Sequence, residues 1–150
     1  MSAGLLTVQA TVPLDAPDFR YELSGRLRAM PVKAFNQFLS ENESFQFDDG
    51  WVEGITFRQS TSKGQATTTL TPRYRDLSVE PTGGGGVVAS LSRGANELIA
   101  DALAVQSRNP DEDGENLRIA RTVRRYDPAQ TWIQFIWFGL RDGLKEVLKE

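Results

Sequence analysis

Apolar and polar residues alternate with a period of two along much of the first half of the chain, which is the pattern of half-buried β-strands. From Leu6 to Val12 the apolar residues occupy the even positions. From Phe19 to Ala29 they occupy the odd positions, and polar or charged residues lie between them. Since each strand then has one dry and one wet face, the pattern favours an antiparallel sheet over a buried parallel one.

The stretch from Gly50 to Val79 predicts a hairpin whose two strands are joined at Ser60–Gly64. Pro72 has no backbone donor, which places it at a sheet edge or at a bulge. The apolar positions of the second strand also change parity along its length. Because a shift of one residue moves every following side chain to the other face, a bulge or bend is expected between Thr71 and Asp76.

Helical spacing appears in three places. A short helix is predicted after Pro31, since apolar residues recur at helical spacing from Val32 to Leu39. A longer helix is predicted from about Val87 to Leu103, after a run of glycines. A third is predicted to start at Asp127–Gln130, where a capping acid, a proline and a glutamine follow one another. The apolar stripe of this last helix consists of Ile133, Trp137, Leu140, Leu144 and Val147.

Shorter strands complete the predicted sheet. One is expected at Phe45–Phe47, with a turn at Asp48–Gly50 directly after it. Ala104–Arg108 and Leu117–Tyr126 predict a second hairpin, and the acidic segment Asp111–Asn116 forms its tip.

These elements predict an α+β fold in a single domain, residues 1–150. A curved, mainly antiparallel sheet of about six or seven strands carries a short helix and two longer helices, the last at the C-terminus. In the strand that precedes the C-terminal helix, Ile119 and Val123 are expected to face inward.

The chain contains no cysteine and no histidine. A Ser-His-Asp triad, a zinc hydrolase site, thiol catalysis and cysteine-ligated metals are therefore excluded. No pair of carboxylates stands out for acid–base work, so we expect no catalytic residue, no cofactor and no metal. With 17 basic and 20 acidic residues the formal net charge is −3, which gives no whole-molecule attraction to nucleic acid.

Three polar patterns resemble ligand sites. The Gly84-x-Gly86-x-x-Ala89 sequence matches a loose dinucleotide fingerprint, but the segment before it is polar, which favours a linker. The acidic segment Asp111–Asn116 lacks calcium-loop spacing, which favours a solvated hairpin tip. A group of arginines either forms a basic strip for phosphate or lipid head groups or lies on a solvated face paired with acids. Its members are Arg73, Arg75, Arg118, Arg121, Arg124 and Arg125.

The C-terminal helix is unusually rich in aromatic residues. Its simplest interpretation is that one face packs on the sheet and closes the core. The alternatives are insertion at a membrane interface, formation of a homo-oligomer, and packing on another domain of a longer chain. The residues that would make such a membrane or partner contact are Trp132, Phe135, Trp137 and Phe138.

No targeting segment is predicted. The first residues lack the basic region and the apolar run of a signal peptide. The apolar-rich run Trp132–Leu140 is about half of the roughly 20 residues that a membrane span requires. A complete chain would therefore be cytoplasmic, whereas a chain that starts in a strand equally fits a domain cut from a longer protein.

Several short motifs resemble the C-terminal region of bacterial AsmA-like proteins, and they cover nearly the whole chain in the same order. They are Gly25–Pro31, Phe35-Asn36, Gly50–Val52, Thr71–Val79, Ser107–Pro110 and Phe135–Leu144. The resemblance implies a gutter-shaped sheet with an apolar concave side, in envelope proteins that are anchored at the inner membrane and extend through the periplasm. Similar proteins are thought to move or hold phospholipids or to affect outer-membrane assembly. The anchor helix and the long repeated strands are missing here, so the chain resembles one terminal module.

The leading hypothesis is a noncatalytic AsmA-like domain whose apolar sheet face binds the acyl chains of phospholipids. The residues expected on that face are Leu6, Val8, Phe19, Tyr21, Leu23, Leu27, Ile55 and Phe57. The alternative is a structural or protein-interaction domain in which the helices cover the sheet completely. Contacts of Leu98 and Trp137 along the whole strand face would favour that alternative.

Overall fold

The protein is described by a computed structural model that covers residues 4–42, 45–81 and 105–148. Five strands form one open, curved sheet in the order of the sequence, and every neighbouring pair is antiparallel. The strands are β1 Leu6–Thr11, β2 Glu22–Pro31, β3 Phe45–Ser62, β4 Gln65–Pro81 and β5 Ala120–Arg125. The α+β class and the antiparallel sheet are therefore confirmed.

The predicted number of strands is too high for the part of the chain that is described. The turn expected at Asp48–Gly50 does not exist, because β3 continues through it from Phe45 to Ser62. These residues instead form irregularities in the pairing with β4, between Phe47 and Asp49 and between Asp49 and Trp51. The backbones approach closely there, since a Cβ on Gly50 would lie 2.9 Å from the Cα atom of Leu77.

The bend predicted in β4 is confirmed. Asp76 has a φ angle of 55°, and the buried positions change parity from Tyr74 to Leu77. The junction of the Gly50–Val79 hairpin also agrees with the prediction. Lys63 and Gly64 have φ angles of 52° and 74°, the two positive values that a tight two-residue hairpin turn requires.

The short helix after Pro31 is confirmed as a 3-10 turn, Val32–Phe35, that continues into the helix α1, Asn36–Asn42. The amide of Asn36 ties this unit to the sheet, donating to the carbonyl of Phe47 and accepting from its N–H, both at 2.8 Å. The C-terminal helix, here α2, spans Trp132–Leu148. The predicted helix at 87–103 and the glycine motif at 84–89 lie outside the described residues.

The start of α2 differs from the prediction. Asp127–Gln130 is a turn, in which the Asp127 carboxylate accepts from the N–H of Ala129 at 2.9 Å. The cap is Thr131, whose hydroxyl accepts from the N–H of Gln134 at 3.3 Å. The Gln134 side chain accepts in turn from the N–H of Thr131 at 3.0 Å, which completes a capping box.

The face that α2 turns to the sheet matches the predicted stripe in its second half, where Val147 is buried and Leu140 and Leu144 pack against the core, but not at its start. Ile133, the first residue of the expected stripe, is 76% exposed. The buried positions recur every four residues and end at the helix terminus: Phe135, Gly139, Gly143, Val147 and Leu148. Glycines at the centre of the contact bring the helix backbone against the strands, which large apolar residues at the same positions would prevent.

The last hairpin is not formed as predicted. Residues 105–109 lie beside β4, with backbone hydrogen bonds between Asn109 and Tyr74 in both directions at 2.9 Å. The sequence predicts that Ile119, just before β5, and Val123 within it face inward, but they face outward and are 57% and 61% exposed. The small Ala120 faces the core instead, where it lies beneath α2.

Pro72 lies just beyond the first residue of β5, since the pairing of β4 with β5 stops at Leu70 and Ala120. Beyond that point the buried Asn109 takes the place of a strand. Its amide donates to the carbonyls of Pro72 and Arg118 and accepts from the N–H of Arg118. Pro72 is therefore buried at a gap in the strand pairing of the β4 edge that Asn109 fills, where its missing N–H breaks no ladder hydrogen bond.

Candidate functional site

The apolar interior has two parts, and the part at the start of α2 is filled. There Tyr21, Leu23, Ala66 and Phe135 form a small buried cluster. The Tyr21 hydroxyl donates to the Gln59 side chain at 2.6 Å, and burial raises the pKa of that hydroxyl. The Gln59 amide donates onward to the hydroxyl of Thr68 at 2.7 Å. The described side chains at this end pack against one another.

The other part of the interior contains a cavity of about 280 Å³ between the sheet, α2 and the short helix. All of the surface exposed inside it is apolar. From the sheet it is lined by Leu6, Leu27, Phe47, Val52, Ile55, Phe57, Leu70, Pro72, Arg73, Tyr74 and Leu77. From the helices it is lined by Val32, Phe35, Leu39, Trp137, Leu140, Arg141, Leu144 and Leu148.

The position of α2 explains the cavity. The helix touches the strands through Gly139 and Gly143, so the bulky Trp137, Leu140 and Leu144 stand beside the line of contact and form one wall. On the opposite wall Phe57 lies against Gly25 of β2, where a Cβ would be only 2.2 Å from the ring. The tip of the Phe57 ring therefore occupies the space that a side chain on residue 25 would fill.

The cavity reaches the edge of the sheet at β1. Leu6 lines it and is also 54% exposed, and Val8 on the same strand is 48% exposed. Both side chains have the parity of the inner sheet face, because they pair with Leu27 and Gly25. The β1 edge is therefore the side from which an apolar molecule would enter.

Half of the predicted apolar face belongs to this cavity. Leu6, Leu27, Ile55 and Phe57 line it. Tyr21 and Leu23 instead fill the small cluster at the start of α2. Two further predicted residues, Val8 and Phe19, line neither, and Phe19 is 47% exposed with its ring 5.5 Å from that of Tyr21.

Sequence reasoning missed most of the remaining lining. Val32, Leu39 and Leu70 carry a signal, since their periodicity already marked them as buried positions of a helix or strand. Leu140 and Leu144 belong to the predicted stripe of α2, but only the glycine contacts show that they face a cavity.

The aromatic residues predicted for membrane or partner contact are divided between interior and surface. Phe135 is fully buried, and Trp137 lines the cavity. Phe138 lies between two guanidinium groups, those of Arg124 and Arg141, at 5.0 and 4.6 Å from its ring centre. Trp132 is 42% exposed with its ring edge toward Tyr21, so it is the member of the set that solvent reaches most easily.

One polar group is buried beside the cavity. Tyr74 is 3% exposed, and its hydroxyl has no hydrogen-bond partner among the described residues. Burial raises its pKa to about 12, although the charge of Arg118 acts in the opposite direction. The hydroxyl is neutral at physiological pH, so the cavity contains no buried negative charge from this residue.

The acidic segment behaves as a self-contained loop. The Asp111 carboxylate accepts from the backbone N–H groups of Glu115 and Asn116 and from the Asn116 side chain. These hydrogen bonds, the side-chain one first, lower the pKa of Asp111. Within residues 4–42, 45–81 and 105–148 no cluster of acidic side chains is suited to hold a metal ion.

The fold divides the arginines predicted as one basic strip, since Arg73, Arg121 and Arg125 share the face of the sheet opposite α2 and the others do not join them. Arg124 faces α2 and forms an ion pair with Asp142 at 2.8 Å. Arg75 pairs with Asp76 at 2.8 Å near the bend of β4. Arg121 and Arg125 lie on the opposite face of β5 and are exposed.

Comparison with protein-family models, with curated proteins and with solved structures finds no match to the chain. Among the described helices, none combines the length and the apolar character needed to cross a bilayer. The function is therefore inferred from the residues of the chain itself.

Proposed function

We propose that the protein is a noncatalytic binding module that holds a lipid acyl chain in the cavity between α2 and the sheet. The observation that carries the proposal is a cavity of about 280 Å³ whose exposed surface is entirely apolar. Ligand sites in proteins are typically concave, mainly apolar and largely preformed. A lining without polar surface suits hydrocarbon and gives no group that would orient a polar substrate for reaction.

The size of the cavity suits a chain of moderate length. An apolar cavity of about 150 Å³ stays dry and binds benzene, so one nearly twice as large has room for about a dozen carbon atoms. At ~0.8 kcal/mol for each buried methylene, such a chain gains roughly 8–10 kcal/mol on leaving water. Because association and ordering cost at least about 4 kcal/mol, the net gain is at most roughly 4–6 kcal/mol, and we expect a dissociation constant of about 40 μM or weaker for a single free chain.

The motifs that resemble AsmA-like proteins favour a phospholipid acyl chain over other apolar molecules. In this proposal the chain is one module of an AsmA-like envelope protein in the periplasm, and it helps to hold or conduct lipid in lipid homeostasis or outer-membrane assembly. The open β1 edge, where Leu6 and Val8 are exposed, supports entry of a chain from the side of the sheet.

The test is calorimetric titration of delipidated protein with dodecanoic acid, using a variant that fills the cavity. We expect Ile55→Phe to weaken binding by at least about tenfold, because the added ring carbons occupy the space of the ligand. The matched control is Val123→Phe, which adds a ring on the exposed face of β5. A negative heat-capacity change on binding would identify burial of apolar surface.

Two outcomes would contradict the proposal. One is that the unaltered protein does not bind dodecanoic acid, which would favour a structural or protein-interaction domain with a fully covered sheet. The other is that Ile55→Phe and Val123→Phe bind equally well while both remain folded by circular dichroism.

A further inference from the structure

The face of the sheet opposite α2 is strongly basic between the hairpin turn and the bulges. Alternation places the outward side chains of β2 to β5 on this face, and most of those not charged are serine, threonine or glutamine. Two carboxylates lie among or beside them in this part of the described chain, those of Glu22 and of Glu53, which precedes Gly54 at the bulge and lies 3.7 Å from Arg75. The arginines, which together we name the arginine face, are Arg26, Arg28, Arg58, Arg73, Arg121 and Arg125.

Strand pairing spaces these arginines evenly. Arg58 pairs with Thr69, and Thr69 pairs with Arg121, so the two arginines stand in one row two strands apart. Arg28 and Arg73 stand in another row on either side of Gly54. At about 4.8 Å between strands, each such pair is about 10 Å apart. The residues between them are short or lack a side chain, so the guanidinium groups stand above the sheet.

These guanidinium groups are largely without internal counterions. Arg58 lies 3.6 Å from Glu22, and both side chains are more than 60% exposed, which makes this a weak surface pair. The other members of the arginine face form no ion pair with the described residues. Six of the 17 basic residues of the chain belong to this face, which makes it locally positive although the whole chain has a net charge of −3.

Exposed aliphatic residues indicate which kind of anion this surface fits. Val123 is 61% exposed between Arg121 and Arg125, and Ile119, just before β5, is 57% exposed. Aliphatic side chains interleaved with arginines suit the boundary between phosphates and acyl chains at a bilayer surface. Single-stranded nucleic acid would instead require aromatic side chains for base stacking, and this part of the outer face has none.

We propose that the arginine face docks the protein on an anionic phospholipid bilayer. The guanidinium groups bind the phosphates of the head groups, and Val123 and Ile119 enter the interfacial layer beside them. The cavity lies on the other side of the sheet, so docking does not depend on whether the cavity holds a chain.

Co-sedimentation with phosphatidylcholine vesicles, with and without phosphatidylglycerol, tests this docking. We expect the protein to sediment only with the anionic vesicles, and less at high salt. Each arginine near the surface changes the partition coefficient by about fivefold, so Arg26→Gln combined with Arg121→Gln should lower it by about 25-fold. The matched control removes the same charge from the side of the sheet that carries the helices, as Lys33→Gln with Lys145→Gln, and should change binding by less than about threefold.

Three results would overturn the proposal. The first is the absence of sedimentation with phosphatidylglycerol vesicles. The second is an equal loss of binding in the arginine variant and the lysine control, which would indicate net charge and not this face. The third is tighter binding of a duplex oligonucleotide than of the anionic vesicles at the same salt concentration, which would assign the face to nucleic acid. Dodecanoic acid binding is measured separately, so a failure of either proposal leaves the other interpretable.

Discussion

Replacing Gly139 by alanine tests the close contact between α2 and the sheet. In an isolated helix this change is stabilising by about 1 kcal/mol, because glycine loses more backbone freedom than alanine. Here the added Cβ would lie 2.3 Å from the side-chain nitrogen Nε2 of Gln59 and 2.7 Å from the hydroxyl oxygen of Thr68. We therefore expect the opposite sign, with the protein destabilised by the substitution.

The magnitude follows from what must move. Gln59 is fully buried and Thr68 is 1% exposed, and the two are joined by a hydrogen bond at 2.7 Å. Overpacking of a filled core costs about 1–3 kcal/mol, and a buried polar group that loses its partner costs about 1–3 kcal/mol more. After the gain of about 1 kcal/mol in helix propensity, the free energy of unfolding should fall by roughly 1–5 kcal/mol.

Urea denaturation followed by circular dichroism measures this change, and Gly143→Ala is the matched control on the same helix face. Its Cβ would lie 3.3 Å from the Leu70 side chain, so we expect a change of less than about 1 kcal/mol. Adding Gln59→Ala to Gly139→Ala should cost less than the sum of the single changes, because the clash is removed. Unchanged or increased stability in Gly139→Ala would refute the contact and the cavity wall that depends on it.

Two further predictions concern polar groups in the core. Asn109→Ala should lower the free energy of unfolding by roughly 3 kcal/mol, because it leaves the carbonyls of Pro72 and Arg118 unpaired. The control Asn116→Ala changes an exposed residue and should cost much less. Equal urea midpoints for the two variants would contradict this prediction. Tyr74→Phe should leave stability at pH 7 unchanged or raise it by about 1 kcal/mol, because it removes a hydroxyl that has no partner among the described residues. Burial raises the folded-state pKa of Tyr74 from 10.0 to about 12, so the folded state favours the neutral hydroxyl. The stability of the protein is therefore unaffected by this titration below pH 10 and falls as the pH rises from 10 to 12. Thermal unfolding between pH 9 and 12 should therefore show a smaller alkaline loss in Tyr74→Phe, and parallel curves would contradict the assignment.

Much of the sheet was predictable because its physical causes are local. The alternation in β2, the turn at Lys63-Gly64 and the parity change before Leu77 each depend on a few neighbouring residues. The short helix after Pro31 is likewise determined by a proline at its start and by apolar spacing.

The errors arose where a tertiary contact decided between local alternatives. Asp48–Gly50 has the composition of a turn, but pairing with β4 on both sides makes it part of a bulged strand. The large apolar side chains of α2 predict a contact stripe that begins at Ile133, whereas the helix touches the sheet through Gly139 and Gly143. A cavity forms beside such a contact because glycines, which have no side chain, lie where the helix comes closest to the sheet. The periodicity of apolar residues does not indicate where such a contact lies.

The two proposed surfaces follow from the alternation of a single sheet. In β4, Leu70 and Pro72 are buried and line the cavity, whereas Arg73 between Pro72 and Tyr74 borders the cavity but is exposed and belongs to the arginine face. In the proposed arrangement, the sheet separates hydrocarbon in the cavity from phosphates on the outer side, and an acyl chain does not pass between them through the strands. The β1 edge, with Leu6 exposed and also lining the cavity, is the described route around the sheet. A protein docked by its arginine face would thus receive an acyl chain at the β1 edge of the sheet. Docking and acyl-chain binding would then use different residues, so a variant of one surface should leave the other activity unchanged.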